Sequence, residues 1–286
     1  MGKILGSYNR KGGVGKSASI INLGAELATQ KKKVLLVDGD PQMNITQFFF
    51  KNDENLIAPH GSLQPGIKSV TDIISSDEDI ENAILTCNFS ARRKIGGKFT
   101  NLTSKFDVLL GSKELDYTDI TLENLSIFKN KIYSIRDNYD MIFIDFSPAN
   151  SLVTVMFLLA MDYLLVPLHL AKGSSMYGYM DVLRRVEDVK YNYGNPNLDI
   201  LGLFYTNVQL YKDDQAKVFN EAMKKEVRDS LKLFNTPIRH DYSSTQESES
   251  EGLPLCICRG SSEITNDYKL LSREILKRIK KIEGGK

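Results

Sequence analysis

The most constraining feature of this chain is a glycine-rich segment near its start. Residues 10–19 read RKGGVGKSAS and follow a short apolar run at 4–8. A strand, a glycine loop and a helix in this order form a phosphate-binding unit, because glycine allows close backbone approach and a helix N-terminus attracts anions. Arg10 breaks the phosphate-loop pattern G-x-x-x-x-G-K-[ST], whereas residues 13–18 match the dinucleotide pattern G-x-G-x-x-A. The segment therefore predicts an α/β fold and leaves two classes of ligand open.

Apolar runs of strand length alternate with amphipathic segments of helix length along almost the whole chain. This alternation predicts one α/β domain over residues 1–286, in which helices cover both faces of a mostly parallel, twisted sheet. We expect a loop at 48–66 and a solvated basic loop at 89–104, which contains Arg92, Arg93, Lys94 and Lys98. The predicted strands are 4–9, 34–38, 106–110, 141–145, 163–168 and 200–206, and the predicted helices are 17–29, 122–137, 152–161, 177–193, 214–231 and 263–282.

Composition and charge narrow the class of protein. The net charge of +1 gives no bulk attraction to polyanions, so any nucleic-acid site must be a local cluster. The three cysteines, Cys87, Cys256 and Cys258, indicate a reducing compartment, and no second Cys pair or His cluster nearby completes a metal site. No signal-peptide pattern is present, and the apolar stretch 153–170 is interrupted by Asp162 and Pro167. We therefore expect a cytoplasmic protein without a membrane span.

The residues that follow the glycines favour a nucleoside triphosphate over a dinucleotide. Lys16 can reach terminal phosphates, and the Ser17 hydroxyl suits Mg²⁺. A dinucleotide loop requires neither residue. In favour of the dinucleotide, Asp38 ends the second predicted strand where a carboxylate that binds a ribose would stand. A dinucleotide-dependent oxidoreductase therefore remains an alternative.

Carboxylates follow two of the predicted strands. Asp38 is followed by Asp40 after the second strand, and Asp145 ends the apolar strand that begins at residue 141. Ligands of open α/β sheets bind at the carboxyl ends of the strands, and an apolar strand ending in Asp beside a phosphate loop has the form of a Walker B element. The sequence thus predicts Ser17, Asp38, Asp40 and Asp145 as the residues around a magnesium ion.

Taken together, these motifs resemble the ParA/MinD superfamily of P-loop ATPases. KGGVGKS at 11–17, VLLVDGDPQMNIT at 34–46 and FIDFSPAN at 143–150 are similar to its deviant Walker A, switch I and Walker B elements, and the similarity continues through 109–116, 163–183 and 236–255. The pattern DPQ-x-N-x-T resembles the Soj-type ParA partition ATPases. Only ten residues precede the loop, so we expect no helix-turn-helix domain before it. Ser17-Ala18, Gly39, Met43 and Ala149 depart from the common family sequence.

The resemblance implies a P-loop NTPase fold, the cofactors ATP and Mg²⁺, and an ATP-dependent homodimer that sandwiches two nucleotides. Lys11 would cross to the nucleotide of the partner protomer, Gly12 would permit close approach, and Asp40 would position the attacking water. Lys11, Lys16 and Asp40 are thus the implied catalytic residues. The implied nucleotide-binding residues are Lys11, Gly12, Gly13, Val14, Gly15, Lys16, Ser17 and Ala18, with Asn207 and Pro237 near the base.

The resemblance also implies partners and a place in the cell. ParA proteins bind double-stranded DNA without sequence preference, and a ParB-like centromere-binding protein or cargo adaptor stimulates their ATP hydrolysis, so a nucleoid-associated protein that segregates DNA or another cargo is expected. The candidate DNA-binding residues are Arg184, Arg185, Lys224, Lys225, Arg228, Lys277 and Arg278.

Two further alternatives belong to the same fold. Leu276, Ile279 and Ile282 lie on one helical stripe among lysines, as in the interfacial anchor of a MinD-like membrane regulator. A packed terminal helix explains the same stripe, because Leu270, Leu271 and Ile275 extend it, so membrane contact is not our expectation. An iron–sulfur reductase is disfavoured, because the three cysteines do not occupy the positions that such a relative requires.

Overall fold

A computed structural model of the chain describes residues 1–95, 98–149, 151–169, 175–209, 217, 221, 224 and 229–284. Its seven-stranded sheet has the order β3-β4-β2-β5-β1-β6-β7, and every neighbouring pair is parallel except the antiparallel pair β3–β4. The mostly parallel α/β fold that the sequence predicts is therefore confirmed. The strands are β1 Lys3–Ser7, β2 Val34–Gly39, β3 Ile84–Ile95, β4 Lys98–Leu109, β5 Met141–Phe146, β6 Tyr163–His169 and β7 Asp199–Thr206.

Helices pack on both faces of the sheet and create two hydrophobic clusters. Adjacent residues of a strand point to opposite faces, so Ile142 of β5 joins one cluster with Phe157, while Phe143 joins the other with Leu23 and Leu271. All five side chains are fully buried. The helices of the described residues are α1 Lys16–Thr29, α2 Asn44–Phe50, α3 Val70–Ser75, α4 Ile127–Ile135, α5 Leu152–Ala160, α6 Ser175–Asn192, α7 Tyr242–Glu251, α8 Leu255–Cys258 and α9 Glu263–Gly284.

The prediction of a solvated basic loop at 89–104 is wrong, because this segment forms most of a long β-hairpin. β3 and β4 pair antiparallel along their whole lengths, from Ile84 opposite Leu109 to Ile95 opposite Lys98. Buried or half-buried Cys87, Phe89 and Ala91 alternate with exposed polar residues. The sequence signal was this alternation with a period of two, followed by a Gly-Gly pair that favours a two-residue turn. The cluster of basic residues made the alternation hard to recognise.

Other element predictions need smaller corrections. The helix expected at 122–137 is shorter and runs over Ile127–Ile135, and the first residues of the loop expected at 48–66 belong to α2. The sequence analysis missed α2, α3, α7 and the short α8. α7 is almost entirely polar and has no apolar stripe to reveal it, but its N-cap Asp241 accepts a 3.0 Å hydrogen bond from the Ser244 backbone N–H. Most of the helix predicted at 214–231 lies outside the described residues.

Candidate functional site

The glycine loop connects β1 to α1 and leaves backbone donors at the start of the helix open. Gly13 and Gly15 have φ angles of 70° and 80°, which residues with a side chain rarely adopt. Gly15 is the N-cap of α1, and its Cα carries no side chain that could cap the N–H groups of the first turn. The open donors and the helix dipole together form an anion site.

Two buried side chains that the sequence analysis did not select hold this loop in place. The Asn9 amide donates to the Pro167 carbonyl at 2.8 Å, and its oxygen accepts the Lys11 N–H at 2.9 Å. On the other side, the Thr206 hydroxyl donates to the Val14 carbonyl at 3.0 Å. These contacts join the loop to the ends of β6 and β7. The contacts to Pro167 and Val14 link positions far apart in sequence, so no local pattern could have identified them.

Asp38 and Asp145 lie side by side at the carboxyl edge of the sheet. β2 and β5 place Asp38 directly opposite Asp145 in register, and both side chains are fully buried. One oxygen of Asp38 accepts the Thr46 N–H at 2.8 Å, and Thr46 in turn accepts the Gly111 N–H. Burial nevertheless raises the pKa of Asp38 to about 6, because ionising an enclosed carboxylate is unfavourable.

Asp145 has the chemistry of a metal-supporting group. Burial raises the pKa of Asp145 to about 7, and the Ser17 hydroxyl and the charge of Lys16 oppose this increase. Although Ser17 lies close enough to influence the pKa, neither carboxylate oxygen has a donor at hydrogen-bond geometry among the described residues. A buried carboxylate with open acceptor positions beside a hydroxyl fits a hydrated Mg²⁺.

Lys16 and Asp40 complete the polar surface around this edge. Burial lowers the pKa of the Lys16 ammonium, while the negative charges of Asp145 and Asp40 raise it, so the three groups are electrostatic neighbours. Asp40 is half-buried and accepts the Gln42 N–H at 2.9 Å. In the described part of the chain, no three His, Cys, Asp or Glu side chains are grouped closely enough to hold a metal alone. A cation at this edge would therefore need further ligands, such as phosphate oxygens and water.

Lys11 and Gly12 lie on the exposed side of the loop. A Cβ built at Gly12 would meet nothing within 4 Å, and both residues are exposed. The charge of Lys11 contributes to a lowered pKa of His169, of which burial is the main cause, so Lys11 lies near the end of β6. Within this protomer, Lys11 is thus exposed at the surface, whereas Lys16 is half-buried.

A cavity of about 290 Å³ opens beside the first turn of α1. Ser17 and Ala18 line one end of it, and Phe48 of α2 together with Ile264 and Tyr268 of α9 line another part. The sequence analysis did not select the residues of α2 and α9, because only tertiary packing brings them to α1. Asn207 and Pro237, the residues predicted near the base, do not line this cavity.

Asn207 and Pro237 nevertheless lie near the same edge of the sheet. Asn207 follows Thr206 at the end of β7, has a φ of 56°, and its amide nitrogen lies 2.8 Å from the His169 ring nitrogen Nε2. Pro237 is half-buried and precedes Ile238, whose carbonyl accepts the Val208 N–H. Their predicted contact with the base stays a prediction.

The candidate DNA-binding residues differ in exposure. Arg184 and Lys224 have side chains that are 75% and 61% exposed, although each is paired with a neighbouring acid, and Lys277 is also exposed. Arg185 is largely buried, because its side chain is only 13% exposed and pairs with Asp188 at 3.1 Å. Lys225 and Arg228 lie outside the described residues.

Arg278 makes structural contacts that the sequence analysis did not expect, while its predicted DNA contact stays a prediction. Its guanidinium donates to the carbonyls of Leu201, Lys232 and Leu233 at 3.0, 2.5 and 3.2 Å, and lies 3.9 Å from the centre of the Phe234 ring. These contacts fix α9 against β7 and the segment that follows position 231. A guanidinium held in this way has few donors left for phosphate.

The stripe on the terminal helix is mainly part of the core. Leu271, Ile275 and Ile279 of α9 are at most 5% exposed and pack in the same cluster as α1. Leu276 and Ile282 pack against that cluster as partly buried residues. None of the described helices combines the length and apolar character that crossing a membrane requires.

Comparison with known proteins gives a consistent assignment. A family model described as an AAA domain matches residues 2–200. The chain is 30% identical over 280 residues to the chromosome-partitioning ATPase Soj of Treponema pallidum, covering 97% of this chain and 98% of that protein. It is similar in structure to Cyanothece McdA in complex with ATP, with a TM-score of 0.72, 19% identity and 96% of each chain covered. For cobyrinic acid a,c-diamide synthase of Mycobacterium smegmatis with bound ADP and magnesium, the TM-score is 0.71 at 22% identity, covering 98% of this chain and 96% of that one.

The sheet order, the glycine loop at the start of α1 and the carboxylates at the adjacent strand ends define a P-loop ATPase fold. Within that class, the chain belongs to the ParA/MinD superfamily, as its match to the AAA-domain model and to Soj establishes. This assignment decides the ambiguity at residues 13–18 in favour of a P-loop and against a dinucleotide fingerprint.

Proposed function

We propose that this protein is a ParA-type ATPase whose ATP-bound dimer binds DNA and whose hydrolysis of ATP releases it. One observation carries the proposal. The N-terminus of α1, Lys16 and the two carboxylates Asp38 and Asp145, which lie opposite each other in register, come together at one edge of the sheet. The single domain over 1–286, the cytoplasmic, nucleoid-associated location, and the segregation of DNA or another cargo belong to the same proposal.

In this proposal, the first turn of α1 binds the phosphates through its backbone N–H groups, and Lys16 neutralises the terminal phosphate. Ser17 and Asp145 hold magnesium, directly or through water, and Asp38 orients the neighbouring segment through its bonds to Thr46 and Asp40. When bound, the ion neutralises charge on the phosphates. The cavity lined by Ser17 and Ala18 is the place we propose for the nucleoside, since both residues belong to the first turn of α1.

Hydrolysis would depend on two groups in addition to those that bind the phosphates and magnesium. Asp40 lies near Lys16 and is half-buried, so its carboxylate can orient a water while remaining in contact with solvent. Lys11, on the exposed side of the loop, would reach the nucleotide of the partner protomer and stabilise the charge that develops in phosphoryl transfer. A site that is completed by two chains would couple dimerisation to ATP.

The DNA-binding surface would make weak contacts with phosphates, and dimerisation would double the number of these contacts. Arg184, Lys224 and Lys277 are exposed, and Lys225 and Arg228 remain candidates on sequence grounds. Each contact alone is modest, and two copies on one dimer bind more tightly than either alone. A ParB-like adaptor would then stimulate hydrolysis and return the protein to a monomer with low affinity for DNA.

The test is binding of a duplex of arbitrary sequence to the full chain with Mg²⁺ and ATP, with ADP, or without nucleotide. We expect binding only with ATP, and no binding by Lys16→Ala in any condition. Identical binding in all three conditions would contradict the proposed switch. ATP turnover measured on the same samples separates loss of nucleotide binding from loss of the DNA surface.

Cosedimentation with anionic vesicles tests the MinD-like alternative. Because Leu271, Ile275 and Ile279 are packed in the core, we expect no ATP-dependent membrane binding by the wild-type chain. Point substitutions at exposed Lys277 and Lys280 are the suitable variants, since truncation after Leu276 would remove the buried Ile279. ATP-dependent vesicle binding that these substitutions abolish would favour the membrane regulator.

A further inference from the structure

A groove of about 730 Å³ lies at the C-terminal end of α1, between β4 and the connection from α1 to β2, whereas the glycine loop lies at the N-terminal end of α1. One wall consists of residues 101–103 and 105–107 of β4, and the other contains Lys31, Lys32, Lys33 and Val34. On a sheet face, only alternate residues of a strand would line a groove. Neighbours such as Leu102 and Thr103 both line this one, so β4 presents its backbone edge to the groove.

In the part of the chain that the structure describes, this edge of β4 has no strand partner before Asp107 because β2 starts late, although Ser104 is fully buried and its hydroxyl donates to the Ala25 carbonyl of α1. β4 pairs with β3 along its whole length. On its other side, β4 pairs with β2 only through Asp107, Val108 and Leu109. Lys31 adopts a φ of 63° and turns the chain before β2 begins at Val34. Among the described residues, no strand therefore pairs with β4 before Asp107 on this side, and the groove occupies the place of a backward extension of β2.

The charge of the groove is strongly one-sided. Its lining contains four lysines, Lys31, Lys32, Lys33 and Lys105, and the single acid Asp107. Asp107 already accepts hydrogen bonds from Thr86 and Tyr139 at 2.7 and 2.8 Å. Just outside the lining, Asp140 binds the Lys32 ammonium at 3.0 Å, while no ion pair involving Lys31 or Lys105 occurs in the described part of the chain.

We propose that this groove is a docking site for an acidic, extended peptide segment of a partner protein, which adds to the sheet as a strand beside β4. An open strand edge presents both N–H donors and carbonyl acceptors, and a peptide backbone satisfies both. The lysines on the two walls attract the acidic side chains. The groove is separate from the nucleotide site, since none of its residues belongs to the P-loop or to the carboxylate pair.

Other occupants fit the groove less well. A DNA backbone offers acceptors only, so its phosphates would face the carbonyls of the strand edge as well as the lysines. A second copy of the chain, paired edge to edge, would bring the two sets of lysines together. Lysines on a strand edge can also prevent any other strand from pairing with it. If the lysines of the groove have that role, no peptide strand binds to β4.

The test uses the intact chain and a fluorescent peptide of alternating glutamate and valine, as long as the unpaired part of β4, with anisotropy measured at low ionic strength. We expect saturable binding that the double variant Lys31→Glu/Lys105→Glu weakens by about tenfold or more. The matched control is Lys269→Glu/Lys280→Glu, which makes the same charge change at exposed positions on α9 and leaves the affinity unchanged. Thermal melts confirm that both variants fold.

Two N-methylated forms of the peptide separate strand addition from charge attraction. One form carries methyl groups on the odd residues and the other on the even residues, so only one form blocks the N–H groups that face β4. We expect one form to lose binding and the other to keep it. Equal binding of both forms, no binding of the parent peptide, or loss of duplex DNA binding in the groove variant without peptide binding would each overturn the proposal.

Discussion

At the scale of single residues, the site depends on two carboxylates that are unfavourable in isolation. Asp38 and Asp145 are fully buried and adjacent, and burial raises the pKa of each from 3.8 to about 6 and about 7. The folded chain thus keeps two groups whose ionisation opposes folding, as is common where a structure prepares a site for a cation. The sequence identified both residues, but it did not reveal that they lie opposite each other in register.

The raised pKa values predict a pH-dependent stability of the chain without nucleotide or metal. Because these two native carboxyls bind protons more tightly than the unfolded ones, their contribution to the free energy of unfolding should fall as the pH rises from about 4 to about 7. For Asp145, the loss is on the order of a few kcal/mol. Asp145→Asn should reduce this dependence in denaturant unfolding measured across that pH range. The difference between the two profiles is the test, because Asp140 and Asp241 have lowered pKa values and contribute with the opposite sign in both proteins. An identical pH dependence of the wild type and Asp145→Asn would contradict the prediction.

Asp40 carries a different prediction, because its proposed role is in turnover rather than in stability. Asp40→Ala should bind ATP normally but hydrolyse it about 10²-fold to 10⁴-fold more slowly, as expected for loss of a group that orients or activates water. Nucleotide binding by calorimetry and turnover by phosphate release check the two parts separately. Asp53→Ala, which changes an exposed acid elsewhere, is the control and should leave turnover unchanged.

At the scale of secondary structure elements, prediction succeeded where one face of an element meets the core. The parallel strands and α1, α5, α6 and α9 were located within a few residues, because apolar periodicity reports burial directly. The sequence analysis did not predict β3, most of β4, α2, α3, α7 or α8, although its strand at 106–110 matches the end of β4. In the hairpin, the cluster of basic residues made the alternation of apolar and polar residues hard to recognise. α7 is stabilised by its caps and by a few contacts of small polar residues rather than by an apolar face.

Arg278 provides a prediction at this scale, since it fastens α9 to the sheet. Arg278→Ala should lower the free energy of unfolding by about 2–4 kcal/mol, because three carbonyls lose a charged donor and Phe234 loses its packing partner. The neighbouring exposed Lys277→Ala should change it by no more than about 0.5 kcal/mol. Urea unfolding of both variants measures the difference, and equal stabilities would remove Arg278 from this role.

At the scale of the whole molecule, the nucleotide site is open on the side where Lys11 and Gly12 are exposed. Lys16 is an electrostatic neighbour of Asp145 and Asp40, whereas Lys11 lies near the end of β6. This division of the two lysines supports a site that is completed when a second protomer approaches. The open edge of β4, at the C-terminal end of α1, leaves a separate surface for an acidic partner.

Lys11→Ala tests this arrangement. We expect the variant to bind ATP as a monomer, because Lys16 and the first turn of α1 remain, but to lose dimerisation with ATP and therefore DNA binding. Light scattering with Asp40→Ala as the comparison gives a clear readout, since slow hydrolysis should preserve the dimer of that variant. A Lys11→Ala protein that still dimerises with ATP would show that Lys11 does not complete the site.

The sequence alone determined the α/β class, the phosphate loop and the carboxylates, because these depend on local periodicity and on residue types at fixed spacing. Only the tertiary structure decided which residues meet across long stretches of chain. It placed Asp38 opposite Asp145, brought α9 to the cavity beside Ser17, turned Arg278 inward, and left the edge of β4 open beside Lys31. Contacts of this kind form where separate elements pack together, and no period or motif within one element encodes them.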